Sequence, residues 1–271
     1  MSGPIRTRSD GNVEEICLDR PDRLNALDLP SLRALRLALQ RAALDPKVEA
    51  VLLTGAGSAF CAGGDIAAMD EARERNDLPT FFHELTGEQE LAVREILGMS
   101  KPVIASLPGV AAGGGLSLAL AADWRIASTE AWLVPAFPSL GAVPDGGLTY
   151  FLPHFLGIGM AQELLWTRAK IAAPRARELG LVHEVVEPAA LGPRGWERAR
   201  ELASGAHVAS AWMKRLMLAA FTNDLEHQLA LERRGAVEAA RSPELSEGIH
   251  AFRAKRLPDF AKARKARAAE K

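Results

Sequence analysis

Twice in this chain a short apolar run ends in a stretch of glycine and alanine that feeds directly into helix-forming residues. "VEAVLLT" (48–54) runs into "GAGSAFCAGGDI" (55–66), and "VIASL" (103–107) runs into "PGVAAGGGLS" (108–117). The second copy holds three consecutive glycines, Gly113 to Gly115, followed at once by "LSLALAAD". Each glycine inside a helix costs about 1 kcal/mol against alanine, so the bare backbone needs a reason. The first N–H groups of a helix have no internal partner and carry a partial positive charge. Two such groups from two loops, aimed at one point, would form an oxyanion hole. The structural alternative is that glycine only allows helix and strand to pack closely. A dinucleotide loop is excluded because Gly55-x-Gly57-x-x-Phe60 has phenylalanine where glycine or alanine is needed, and there is no G-x-x-x-x-G-K-[ST] sequence. Ser117 lacks the G-x-S-x-G surroundings of a nucleophile elbow.

The rest of the chain is consistent with these two strand–turn–helix units. "IRTRSDGNVEEICLD" (5–19) reads as a hairpin around Asp10-Gly11. "LPSLRALRLALQRAAL" (29–44) places Leu32, Leu35 and Leu39 on one helical stripe. Residues 80–99 read as a long helix, 123–128 as a strand, and 173–187 as a helix stopped by Gly180 and then a strand. The charged segment 69–77 is expected to be mobile, Asp123 to bond locally, and the basic tail 261–271 to be a solvated or disordered end. Strands alternating with helices define an α/β fold. From about residue 188 the reading is helix after helix, which predicts a core domain over 1–190 and a helical subdomain over 191–271.

Composition narrows the function. A net charge of −1 offers no field to draw in nucleic acid or an anionic membrane. The uncharged run 102–122 is long enough to span a bilayer, but two prolines and four glycines interrupt it, and it reads better as strand, turn and helix. Cys17 and Cys61 cannot build a disulfide framework; free thiols, with no apolar leader in "MSGPIRTRSD", point to the cytoplasm. The six histidines show no metal-ligand spacing, so no metal is expected.

Six stretches together resemble the enoyl-CoA hydratase/isomerase, or crotonase, family: "DRPDRLNALD" (19–28), "AFCAGGDI" (59–66), "KPVIASLPGVAAGGGLSLALAADWRIAS" (101–128), "GAVPDGGLTYFLP" (141–153), "ARELGLVHEVV" (176–186) and "EGIHAFRAKRLPDF" (247–260). The resemblance implies a crotonase-type spiral of ββα units, a C-terminal helical subdomain, and a homotrimer or hexamer. It implies an acyl-CoA thioester substrate, with coenzyme A as part of that substrate and no separate cofactor. By position it implies Ala62 and Gly114 as the oxyanion donors. It places CoA against Arg23, Leu24 and Ala26, with Asp65 and Ile66 beside the adenine, and brings Phe252 and Lys255 to the CoA of a neighbouring subunit.

The reaction is less uniform within such a family. A two-glutamate hydratase would carry its acids where this chain has Ser117 and Phe137, which become acyl-pocket residues. Neither can take a proton at neutral pH. One acid remains at the corresponding turn, Asp145 in "VPDGG". It fits an isomerase base that takes a proton from C2 and returns one to C4; family dehalogenases place a nucleophilic aspartate there. The plain alternative is that Asp145 caps a helix starting near Gly146. The sequence therefore favours an enoyl-CoA isomerase, with a hydratase using atypical water activation or a non-catalytic acyl-CoA-binding protein as alternatives.

Overall fold

A computed structural model describes residues 3–269. The chain opens with the expected hairpin, β1 (Ile5–Asp10) and β2 (Val13–Leu18), whose turn is Gly11-Asn12, one residue later than the sequence suggests, because Asp10 pairs with Val13. Helix α1 (Leu29–Leu44) follows, capped by the Asp28 carboxylate on the Ser31 N–H. Three turns then each place one strand in a large sheet and one in a small sheet. They are β3 (Ala50–Gly55) with β4 (Ala59–Cys61), β5 (Val103–Leu107) with β6 (Val110–Ala112), and β7 (Trp124–Ser128) with β8 (Trp132–Val134). Between the turns lie α2 (Ile66–Glu74), α3 (Leu78–Gly98) and α4 (Gly114–Ala121). After β8 come α5 (Leu148–Leu156), α6 (Ile158–Thr167), β9 (Ile171–Ala172), α7 (Ala173–Glu178) and β10 (Glu184–Val186).

The large sheet runs β1-β2-β3-β5-β7-β10, parallel except for the β1–β2 hairpin. The small one runs β4-β6-β8-β9 and is antiparallel only at β9. This is the spiral of ββα units. Its central strands are apolar on both faces, as a covered parallel sheet requires. Val51 and Leu53 face the cluster holding Leu32, Leu35 and Leu39 of α1, whereas Ala50 and Leu52 face Leu191, Trp196, Ala199 and Ala203.

Those last four belong to α8 (Pro188–Ala203), which covers the second face of the large sheet. The expected boundary between residues 190 and 191 falls inside this helix, so the first C-terminal helix is a layer of the core. Helices α9 (His207–Ala219), α10 (Leu225–Ala240), α11 (Pro243–Arg253) and α12 (Phe260–Ala269) complete the chain.

Three local expectations change. The segment 69–77 is helical through Glu74, because the Asp65 side chain accepts from the Ala67 and Ala68 N–H groups and starts α2. Asp123 does not bond locally: it accepts from the Val103 N–H and from Lys214 Nζ, each at 2.8 Å, tying α9 to the spiral. The basic tail is helical rather than a loose end, since Arg264 reaches both Glu244 (2.8 Å) and Glu49 (2.9 Å). The last two residues of that tail, 270 and 271, lie outside the described residues.

Candidate active site

The two glycine-rich turns meet. A methyl added at Gly113 would lie 3.8 Å from the Gly63 Cα and 3.9 Å from the Phe137 ring. Next to this junction sits Asp145, in the loop ahead of α5. Its carboxylate does not cap that helix: the N-cap position is Gly147, and Asp145 contributes only its main-chain carbonyl, to the Leu148 N–H (3.1 Å). The side chain instead accepts from Gln89 Nε2 through Oδ1 at 2.9 Å. Burial pushes the Asp145 carboxyl up to about 6, against the pull of the Gln89 hydrogen bond. Ser117 is fully buried on α4 and donates to the Asp145 carbonyl (2.8 Å), so it fixes the loop rather than touching the carboxylate. Phe137 is buried in the 3-10 turn Phe137–Leu140, with its ring edge against Gly113.

Gln89 is the residue that sequence reasoning missed. The buried stripe of α3 is Leu85, Gln89, Ala92, Val93 and Ile96. One amide in an otherwise apolar helical stripe was the available signal, since a buried polar side chain needs a partner.

Gln89 also explains much of the glycine run. A Cβ on Gly114 would come within 2.5 Å of Gln89 Oε1, and one on Gly115 within 2.5 Å of the Cys61 carbonyl and 2.7 Å of its Sγ. Close packing, set aside in the sequence as the plain alternative, is therefore part of the answer. Cys61 is a packing residue: its thiol is buried, pushed up to about 12 by desolvation, and accepts from the Gly63 N–H at 3.4 Å.

The oxyanion assignment needs one correction. The Ala62 N–H donates to the Leu24 carbonyl at 3.0 Å and is not available to a substrate. Two residues on, the Gly64 N–H has no acceptor among the described residues, while its neighbours bond to the 24–27 segment through Leu27 N–H to Gly63 O (2.7 Å) and Asp65 N–H to Leu27 O (2.9 Å). Gly114 is the first residue of α4, so its N–H has no partner within that helix.

These bonds bring the two CoA segments of the sequence reading side by side. Arg23 is exposed at the end of the 3-10 turn Pro21–Arg23, Leu24 is left-handed (φ 49°) and half exposed, and the Ala26 N–H returns to the Arg23 carbonyl. Ile66 is 54% exposed beside them. Asp65 is different. It is buried, pairs with Arg20 at 2.8 Å and caps α2. Burial raises its pKa, but the bonds from Arg20 and the α2 N–H groups outweigh that and hold the carboxyl below its ordinary range. Its side chain holds Arg20 and the start of α2. Phe252 lies in the last turn of α11, 85% exposed, and Lys255 two residues beyond that helix. Among the described residues no cluster of histidine, cysteine, aspartate or glutamate is arranged to hold a metal ion, and no helix is long and apolar enough to cross a membrane.

The spiral presents two glycine-rich turns to one half-buried carboxylate, an arrangement suited to a carbonyl compound. The family model described as enoyl-CoA hydratase/isomerase matches residues 8–263. The chain belongs to that family and is an acyl-CoA enzyme of it. It is 35% identical over 268 residues to 1,2-epoxyphenylacetyl-CoA isomerase of Escherichia coli K12, covering 94% of this chain and 97% of that protein. It is 34% identical to short-chain-enoyl-CoA hydratase of Clostridium acetobutylicum over 248 residues, covering 91% and 93%. Among solved structures, an enoyl-CoA hydratase from Polaromonas sp. JS666 superposes with a TM-score of 0.89 at 34% identity, covering 94% of this chain and 98% of that one.

Proposed function

We propose that the chain shifts the double bond of an enoyl-CoA, with Asp145 as the single acid/base group. The Asp145 carboxylate takes the proton from C2. The electron pair left behind spreads over the thioester oxygen and C4, and the Gly64 and Gly114 N–H groups donate to that oxygen. The Asp145 carboxylic acid then gives a proton to C4, so the enzyme ends in its starting state. The observation that carries this reading is the half-buried position of Asp145 among uncharged groups, which raises its pKa toward the range where one group can both take and return a proton. Relatives carry both isomerase and hydratase names, so the reading stands on the site and not on them.

A hydratase would need a second group to activate water. Ser117 is bonded to the Asp145 carbonyl, and Phe137 is a hydrocarbon, so neither position supplies one. The assay is conversion of a 3-enoyl-CoA to the 2-enoyl form, beside hydration of crotonyl-CoA. Isomerisation should dominate, with hydration lower by at least ~10²-fold because general acid–base groups are missing. Hydration as fast as isomerisation would overturn the proposal.

We also propose that the protein assembles as a homotrimer or hexamer. Met217, Phe221, Leu229, Val237, Ile249 and Phe252 are exposed on α9, α10, α11 and the turn after α9. Apolar surface of this extent suits a subunit contact, one that would carry Phe252 and Lys255 to a neighbour's CoA.

A further inference from the structure

We propose that Gln89 is the positioning residue of the site: its amide holds Asp145 by Oδ1, leaves Oδ2 open for the substrate proton, and does so in both protonation states of the carboxyl group. This rests on Asp145 being the base.

The amide has no freedom to wander. Gln89 is 3% exposed in the buried stripe of α3. Its Oε1 is the atom that a side chain on Gly114 would strike, and its Nε2 is the atom that one on Gly146 would strike. The glycine that begins α4 and the glycine that follows the base thus close on the amide from two sides. The donor assignment follows from the partner, because a carboxylate can only accept.

Oδ2 is left free. It has no hydrogen bond among the described residues, and no buried side-chain oxygen or nitrogen there lacks a partner, so Oδ2 reaches open space in the site. When Oδ2 takes a proton, Oδ1 becomes the carbonyl oxygen of an acid and still accepts from Nε2. Nothing has to rotate. A lysine or arginine in this place would also hold the carboxylate, but its charge would favour the ionised form and oppose proton uptake. An uncharged donor gives orientation with only the smaller bias of a neutral hydrogen bond, which burial outweighs.

Among the described residues no charged group competes for Asp145. The residues around the pair, Ser117, Phe137, Gly113 to Gly115 and Gly146, carry no charge. On α3, Glu88 pairs with Arg33 and Arg36, Glu90 with Arg94, and His83 and Glu84 are exposed. On α2, Asp70 pairs with Arg73 and Glu71 with Arg75. Helix α4 has no charged residue, and His154 of α5 bonds to the Tyr150 carbonyl.

The test is Gln89→Met, similar in length with no donor, alongside Asp145→Asn. With 3-enoyl-CoA as substrate, Gln89→Met should lower kcat by roughly 10- to 100-fold through misplacement of the base, with KM within about threefold. The acid limb of its pH–rate profile should move up by about one pH unit, because the carboxylate has lost the hydrogen bond that favours it. The carboxyl carbon-13 signal that disappears in Asp145→Asn should show the same upward move. A merely structural role would lower the amount of folded protein without shifting limb or signal. Gln89→Glu keeps the size and decides the matter if the methionine variant does not fold. It should add an alkaline limb, since the donor then exists only while one of the two carboxyl groups keeps a proton. If Asp145→Asn is inactive but neither Gln89 variant moves the profile, the positioning role alone is wrong. If Asp145→Asn keeps full activity, the base assignment falls and this inference falls with it.

Discussion

Helices α4 and α9 are both rich in alanine and leucine, yet they end in opposite surroundings. All eight residues of α4 are buried, and the helix starts at the glycine turn of the site. None of the thirteen residues of α9 is buried, and Met213 and Met217 stand exposed on it. The difference is one of completeness. The spiral closes its own core and builds the whole Gln89–Asp145–Gly114 arrangement from one chain. The helices after α8 leave apolar surface uncovered, held to the spiral at points such as Lys214–Asp123 and Arg264–Glu49. The proposed chemistry lies in the first region, and the proposed subunit contact in the second.

The largest effect expected from this division is in the spiral. Asp145→Asn should cut isomerisation by roughly 10²–10⁴ while CoA affinity stays within a few-fold. Because the side chain caps nothing, the fold should persist by circular dichroism. Full activity in this variant would move the chemistry away from the glycine turns. A smaller effect is expected in the helical region. Sedimentation should show a trimer or hexamer at micromolar concentration, and Met217→Glu, which puts a charge on the exposed face, should shift it toward monomer. Wild-type protein that sediments only as a monomer would remove the contrast between the two regions.

The third prediction probes the seam. Arg264 is the cation beside Glu244, which is 2% exposed and also accepts from the His207 and Val208 N–H groups. Arg264→Ala leaves that buried carboxylate short of its charge partner. A cost of about 2–4 kcal/mol in urea unfolding is expected, below the full penalty for an isolated buried charge because two N–H donors remain. A change under ~0.5 kcal/mol would mean that α12 contributes nothing to stability.

The two regions also differed in how far they could be read. The glycine turns, the long helices and Asp145 were visible because each leaves a local mark: a strand run, a 3.6-residue stripe, an acid among glycines. Strands β6, β8 and β9 were not, since two or three residues cannot show alternation. The engaged Ala62 N–H was invisible for another reason: its acceptor, the Leu24 carbonyl, comes from a distant stretch of chain and leaves no trace in spacing. Arg264 looked like part of a solvated basic tail because its partners, Glu49 and Glu244, lie far away in sequence. Gln89 had a signal that went unused.

The smallest effect concerns the cost of keeping a carboxylate half-buried among uncharged groups. Burial pushes the Asp145 carboxyl up to about 6, against an ordinary aspartate value of 3.8. The folded state therefore holds the proton more tightly than the unfolded chain, and stability associated with this group is gained as pH falls from above 6 toward 4 and lost as pH rises through 6. At pH 7.5 the native protein bears that cost in full. Asparagine, which has no charge to desolvate and can still accept from Gln89 through Oδ1, does not bear it. Asp145→Asn should thus be more stable than wild type at pH 7.5 by on the order of 1–3 kcal/mol. The advantage should shrink steadily between pH 6 and pH 4, where both side chains become neutral. Urea unfolding of the pair across this range measures it. A variant that is inactive and more stable at neutral pH, with the gain vanishing in acid, has the signature of a group placed for chemistry at the expense of the fold. A loss of stability independent of pH would instead show that the Asp145 carboxylate contributes to holding the loop.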